Sequence, residues 1–175
     1  MEEQMNTRTI LASFRVFVYG TLKRGFSNHD YFCRGITAIE EAVICGQLYA
    51  LNDYIPTLAI PEASILARGS LTYADDQQHQ LNASIDQEPL VATDVWRMIH
   101  GEVLTFPENE RLARLDQLEG FHPPGPCLYH RVLAPVRLQG GEWLASWVYI
   151  TGDRGYRHME PLEGNVWENG KASSS

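Results

Sequence analysis

Strand-like runs outnumber helical ones in this chain, and the two kinds do not alternate regularly. "FRVFVY" at 14–19 alternates and is rich in strand formers. "AVICGQLYAL" at 42–51, "DYIPTLAI" after it and "IHGEVLTF" from Ile99 carry the apolar weight of core strands, and the proline in the second suits an edge or a strand start. "YHRVLAPVRL" and "EWLASWVYI" flank "QGG", the signal of two strands joined by a Gly-Gly turn. Only "PENERLARLDQLEG" reads strongly as a helix, with Pro107 at its start, acids in the first turn and Gly120 just past the end. A second, short helix is expected at about 28–34. This order argues for an α+β domain built on a mixed, curved sheet and against a doubly wound fold.

The 175 residues are 44% hydrophobic, enough for one core and too few for a second independent one. Residues 1–13 read as a polar arm, 14–150 as the single domain, and 151–175 as a tail with its last residues disordered. Between about 62 and 97 the chain turns polar, rich in Gln and Asp and without sustained periodicity, which marks an insertion or a mobile lobe. With 14 Lys and Arg against 22 Asp and Glu the formal charge is −8, so a field that gathers polyanions is missing and nucleic acid is excluded as an expected partner. No apolar run approaches the eighteen or so residues of a membrane span, and the N-terminus is acidic where a secretory signal is basic. A cytoplasmic protein is expected. Cys33, Cys45 and Cys127 are odd in number and share no CxxC spacing, which suits thiols used as small core residues.

The loop in "VFVYGTLKRGFSNHD" raises the first chemical question. Gly20 and Gly25 have the spacing of a phosphate-binding loop, but Phe26 stands where that motif needs its lysine. What survives is the ability of glycine-containing backbone to aim N–H groups at a ligand, whether phosphate or developing oxyanion. A plain tight turn with Lys23 and Arg24 solvated accounts for the same residues.

The helix carries the second unusual feature. At about 100° per residue Leu112, Leu115 and Leu118 form one stripe, and Glu119 falls roughly 20° from Leu112. An acid there either faces the core, where burial raises its pKa toward that of a general base, or frays into solvent beside Gly120. Asp116, on the flank of the stripe, is a surface charge or a polar partner that orients Glu119. The six histidines show no HExxH and no zinc spacing with cysteine, so no metal site is expected. Cys127 has His122 and His130 near it in the chain but no nucleophile signature.

Together, "VFVYGTLKRG" with "NH" after it, "GQLYAL", "HGEVLTF", "LDQLEG" and "YHRV" resemble the gamma-glutamylcyclotransferase-like superfamily, in particular its gamma-glutamylamine cyclotransferase and avirulence-induced-gene-like branch. The resemblance spans about 14–150. It implies a six-stranded sheet closing into a small barrel with flanking helices, a pocket lined by Tyr19, Gly20, Thr21 and Leu22, and Glu119 as catalytic acid/base. Tyr129 and Arg131 fit its Tyr-x-Arg pattern, as pocket wall or barrel packing. The implied reaction is attack of a substrate's α-amine on its own γ-carbonyl, releasing 5-oxoproline from a small gamma-glutamyl molecule without metal or organic cofactor. On the residues alone, a hydrolase using Glu119 to activate water and a non-catalytic binding module of the same fold stay open. The polar stretch at 62–97 is longer than compact members need and is placed to cap or reshape the pocket. Lys23 and Arg24 then become rim or surface charges.

Overall fold

A computed structural model of the chain describes residues 13–52, 55–85, 89, 92–168 and 171–173. The expected polar arm, apart from Ser13, and residues 169–170 and 174–175 at the end of the expected tail lie outside the described residues. In chain order the elements are β1 (Phe14–Val18), α1 (Ser27–Phe32), β2 (Ala38–Asn52), β3 (Ile55–Ala59), a 3₁₀ turn (Glu62–Ser64), β4 (Ala67–Arg68), α2 (Tyr73–Asn82), β5 (Arg97–Phe106), α3 (Asn109–Leu118), β6 (Tyr129–Leu138), β7 (Trp143–Thr151), β8 (Val166–Glu168) and β9 (Lys171–Ser173).

The sheet order is β3-β2-β5-β1-β7-β6-β4, and a further pairing of Ala42 with Leu138 and Val43 with Arg137 joins β2 to β6. That pairing closes β1, β5, β2, β6 and β7 into a barrel, leaving β3 and β4 on its edges. The α+β class and the closed, curved sheet are those expected; the closed part has five strands where six were expected, because the proline-containing β3 pairs only with β2. The sheet is mixed because β1 and β7 run parallel, Val16 beside Trp147, while the other pairings are antiparallel.

Period-2 alternation sorts the apolar side chains into two layers. Phe17 and Tyr19 join Ile44, Leu48, Leu58, Ile99, Val103, Val132, Val148 and Trp167 in one cluster. Phe14, Val16 and Val18 face the other way and pack with Leu104, Phe106, Trp147 and the Leu112 and Leu115 stripe of α3. The helix thus lies against the outer face of β1 and β5, with its C-terminus delivered beside the end of β1.

Two segments differ from the sequence reading. The polar stretch contains a full helix, α2, whose buried residues are Asp76 and Gln80. Its inward face is polar, so hydrophobic periodicity could not reveal it. Gln80 docks it to β1: its Oε1 accepts from the Arg15 N–H at 2.8 Å and its Nε2 donates to the Ser13 carbonyl at 3.1 Å. In the expected tail, β8 and β9 pair, and Trp167 is fully buried.

Candidate functional site

Glu119 owes its position to the way α3 ends. The N–H of Phe121 donates to the Asp116 carbonyl (2.8 Å) and that of Gly120 to Gln117 (3.3 Å), while Gly120 takes φ +63°. These two bonds are a Schellman cap, which needs a residue that tolerates the left-handed region. Glu119 is the helix's C-cap, half-buried, and its side chain enters a pocket instead of fraying outward.

That pocket, about 50 Å³, is lined by Tyr19, Gly20, Thr21 and Leu22 after β1, by Ile55 and Pro56 of β3, and by Tyr129 and Tyr149, with Glu119 among them. The four loop residues and the glutamate picked out in the sequence therefore share one cavity. The loop is irregular, and among the described residues the N–H groups of Gly20, Thr21 and Leu22 donate to no carbonyl or side chain. Backbone N–H groups left without a partner are the kind of donor that an anion or a developing oxyanion can use. Gly20 cannot carry a larger side chain unchanged: a Cβ there comes 2.8 Å from Pro56 Cγ.

The walls are tied by phenols. Tyr19 donates to the Tyr149 carbonyl at 2.7 Å, and Tyr129 to the Pro56 carbonyl at 2.6 Å, so β3 is pinned across the pocket from β6. Burial holds both phenols above the usual tyrosine range, and the nearby Glu119 adds to it. The same low-polarity surroundings push the Glu119 carboxyl up to about 7, with the charge of Asp116 raising it further. A carboxyl with that affinity exchanges protons near neutral pH.

Asp116, on the flank of the stripe, does not hydrogen-bond Glu119. It is buried and accepts four hydrogen bonds: from Arg131 Nε (2.8 Å) and Nη2 (3.2 Å), from Tyr149 (2.7 Å) and from Tyr73 of α2 (2.9 Å). Arg131, fully buried beneath the faces of Phe121 and Trp147, gives its remaining arm to Asp76 at 2.9 Å. The polar segment therefore meets the site through Asp76 and Tyr73, and none of its described residues lines the pocket.

Three further expectations are corrected or placed. Lys23 is buried where a rim or surface charge was expected, its Nζ donating to the Trp167 carbonyl at 2.7 Å, because β8, within the expected tail, folds back over the barrel. Arg24, half in solvent, clamps Glu102 with its side chain while its N–H donates to the same carboxylate at 2.7 Å. Cys127 points at the Gly125 carbonyl (3.4 Å), and His130 pairs with Asp153 (2.9 Å), so no thiol–imidazole pair forms there. Among the described residues no group of three or more His, Cys, Asp or Glu side chains is placed to hold a metal ion, and no helix is long and apolar enough to cross a membrane.

A broader concavity of about 780 Å³, lined by Lys23, Arg24, Glu102, Arg137 and Trp143 among others, does not include Glu119. Size favours the groove, but the raised carboxyl and the free backbone donors meet only in the smaller pocket.

The family model described as gamma-glutamyl cyclotransferase, AIG2-like, matches residues 16–88 and 82–169. The chain belongs to this family. Its fold is that of two solved structures. An AIG2-like protein from Mus musculus has a TM-score of 0.57 at 17% identity, over 94% of this chain and 97% of that one. YkqA from Bacillus subtilis has a TM-score of 0.52 at 19% identity, over 89% of this chain. The chain spans only 39% of the length of YkqA. A comparison with curated protein sequences returned no match. In this AIG2-like chain the signal for the Asp116, Arg131 and Asp76 cluster was faint: two acids and an arginine scattered over 56 positions, with only the Tyr-x-Arg spacing to mark one of them.

Proposed function

We propose that this AIG2-like protein is a gamma-glutamyl cyclotransferase that releases 5-oxoproline from a small gamma-glutamyl amine or peptide, with Glu119 as its acid/base. The observation that carries the proposal is the meeting, in one pocket, of a carboxyl raised to about 7 with the N–H groups of Gly20, Thr21 and Leu22, which have no partner among the described residues. A gamma-glutamyl substrate contains its own nucleophile. The α-ammonium must lose a proton, the freed amine must attack the γ-carbonyl, and the bond from that carbon to the leaving nitrogen must break.

Glu119, as carboxylate, takes one proton from the α-ammonium and gives it to the departing nitrogen. It then takes the second proton, left on the attacking nitrogen after the lactam bond forms, and the released amine leaves as an ammonium when it picks that proton up. The amine nitrogen and the γ-carbon form the lactam bond. Oxyanion charge on the γ-oxygen during attack falls to the backbone donors of residues 20–22, fixed before substrate arrives. Ring closure is intramolecular, so holding the chain folded supplies much of the rate, and the Pro56, Tyr129 and Tyr149 walls do that. No step calls for a group the chain lacks.

The test is incubation with a panel of gamma-glutamyl amines and peptides while 5-oxoproline is followed. Turnover that survives in Glu119→Gln overturns the assigned role. Glutamate appearing in place of 5-oxoproline means that water, not the α-amine, is the nucleophile.

A further inference from the structure

We propose that Asp76, on the helix of the polar segment, is a positioning residue for the Glu119 site: by holding one arm of Arg131 it leaves Asp116 as a negatively charged neighbour of Glu119. The inference rests on the reading of Glu119 as the acid/base and extends the site to a segment none of whose described residues lines the pocket.

The geometry is that of one cation shared between two anions. Arg131 donates Nε and Nη2 to Asp116 and Nη1 to Asp76, with Nη2 also on the Ser70 carbonyl at 2.8 Å. All three charged side chains are buried, so solvent screens little of this balance. Asp76 is itself fixed: Ser70 donates its N–H (2.9 Å) and its hydroxyl (2.9 Å) to the carboxylate. The cluster therefore carries a net charge of −1, and Asp116 is its member nearest Glu119, three positions before it and joined through Tyr149 to the pocket wall.

The groups that face Glu119 from each packed element support this. From α3 comes Asp116; from the loop after β1, Tyr19; from β6, Tyr129, with Arg131 behind it; from β7, Tyr149. β3 contributes Ile55 and Pro56, which do not titrate. Burial keeps the three tyrosines uncharged at neutral pH. Burial raises the proton affinity of Glu119 most, the charge of Asp116 adds to it, and the guanidinium that offsets Asp116 is shared with Asp76. Neutralising Asp76 removes one negative charge and gives Asp116 the whole guanidinium, and both changes favour the Glu119 carboxylate.

The test is an NMR titration of the Glu119 carboxyl carbon in the full-length protein, its signal assigned by loss in Glu119→Gln. It reads proton affinity directly and stands whether or not 5-oxoproline is ever released. In Asp116→Asn the midpoint moves down by about one pH unit, and in Asp76→Asn by about half a unit in the same direction. Tyr73→Phe, which loosens the same helix without changing charge, produces no fall. If Asp76→Asn does not fold, Asp76→Ser keeps a small polar acceptor for Ser70 and carries the same expectation. An unmoved or raised midpoint in the Asp76 variant overturns the proposal, as does an equal fall in Tyr73→Phe, which assigns the effect to loosened packing.

Discussion

Arg131 grips Asp116 with two hydrogen bonds, at 2.8 and 3.2 Å, three residues ahead of the glutamate that enters the pocket. The end of α3 is thereby fixed twice, by a glycine-dependent cap in the backbone and by a buried ion pair in the side chains. Breaking such a pair from one side leaves uncompensated charge inside the protein. Arg131→Met is expected to cost about 3–5 kcal/mol in urea denaturation. Arg131→Lys is expected to fall well short of rescue, since an ammonium lacks the planar fork that serves Asp116 and Asp76 together.

The pH dependence of turnover follows from the same carboxyl. Glu119 must be ionised to take the first proton, and its affinity stands at about 7. The acid limb of kcat/KM is therefore expected to rise about tenfold per pH unit below that value and to level off above it, as read in steady-state assays across the range.

A raised carboxyl pKa is also a statement about stability. The unfolded chain releases this proton near 4.5 and the folded chain holds it to about 7, so between those values the folded state binds more protons. Stability is then lost as pH rises through that window, by roughly 3 kcal/mol in full, and the loss persists above it. Glu119→Gln is expected to be more stable than the parent at pH 8 and to lose that advantage at pH 4.5, measured by thermal unfolding at both.

Gly20 tests the backbone cradle. A methyl group there meets the Pro56 ring, which belongs to a strand pinned by Tyr129, so the loop carrying Gly20 shifts instead and its N–H groups move with it. Gly20→Ala is expected to lower kcat/KM at least tenfold while costing only about 1 kcal/mol of stability, a split visible when kinetics and denaturation are measured on one preparation.

Much of this site could be read from the chain because the informative residues break a local pattern. Glu119 interrupts a leucine stripe, and Gly20 sits at the end of a strand, so each stands out against its neighbours. The rest depends on partners distant in sequence. Asp76 and Arg131 are 55 positions apart, and α2 buries Asp76 and Gln80, one turn apart, where periodicity looks for leucines. A helix that docks by hydrogen bonds reads as a polar loop. Lys23 reads as a surface charge for a similar reason: the carbonyl to which it donates belongs to Trp167, in a short strand the apolar pattern does not announce. The sixth barrel strand failed through chemistry that was visible, since Pro56 in β3 favours an edge.

The central claim is that Glu119 moves the proton in a cyclisation. Its most direct test is the release of 5-oxoproline from the best gamma-glutamyl substrate by parent and Glu119→Gln at pH 8. A fall in kcat of about 10²–10⁴-fold with little change in KM is expected. Equal rates of 5-oxoproline release from the two proteins would contradict it.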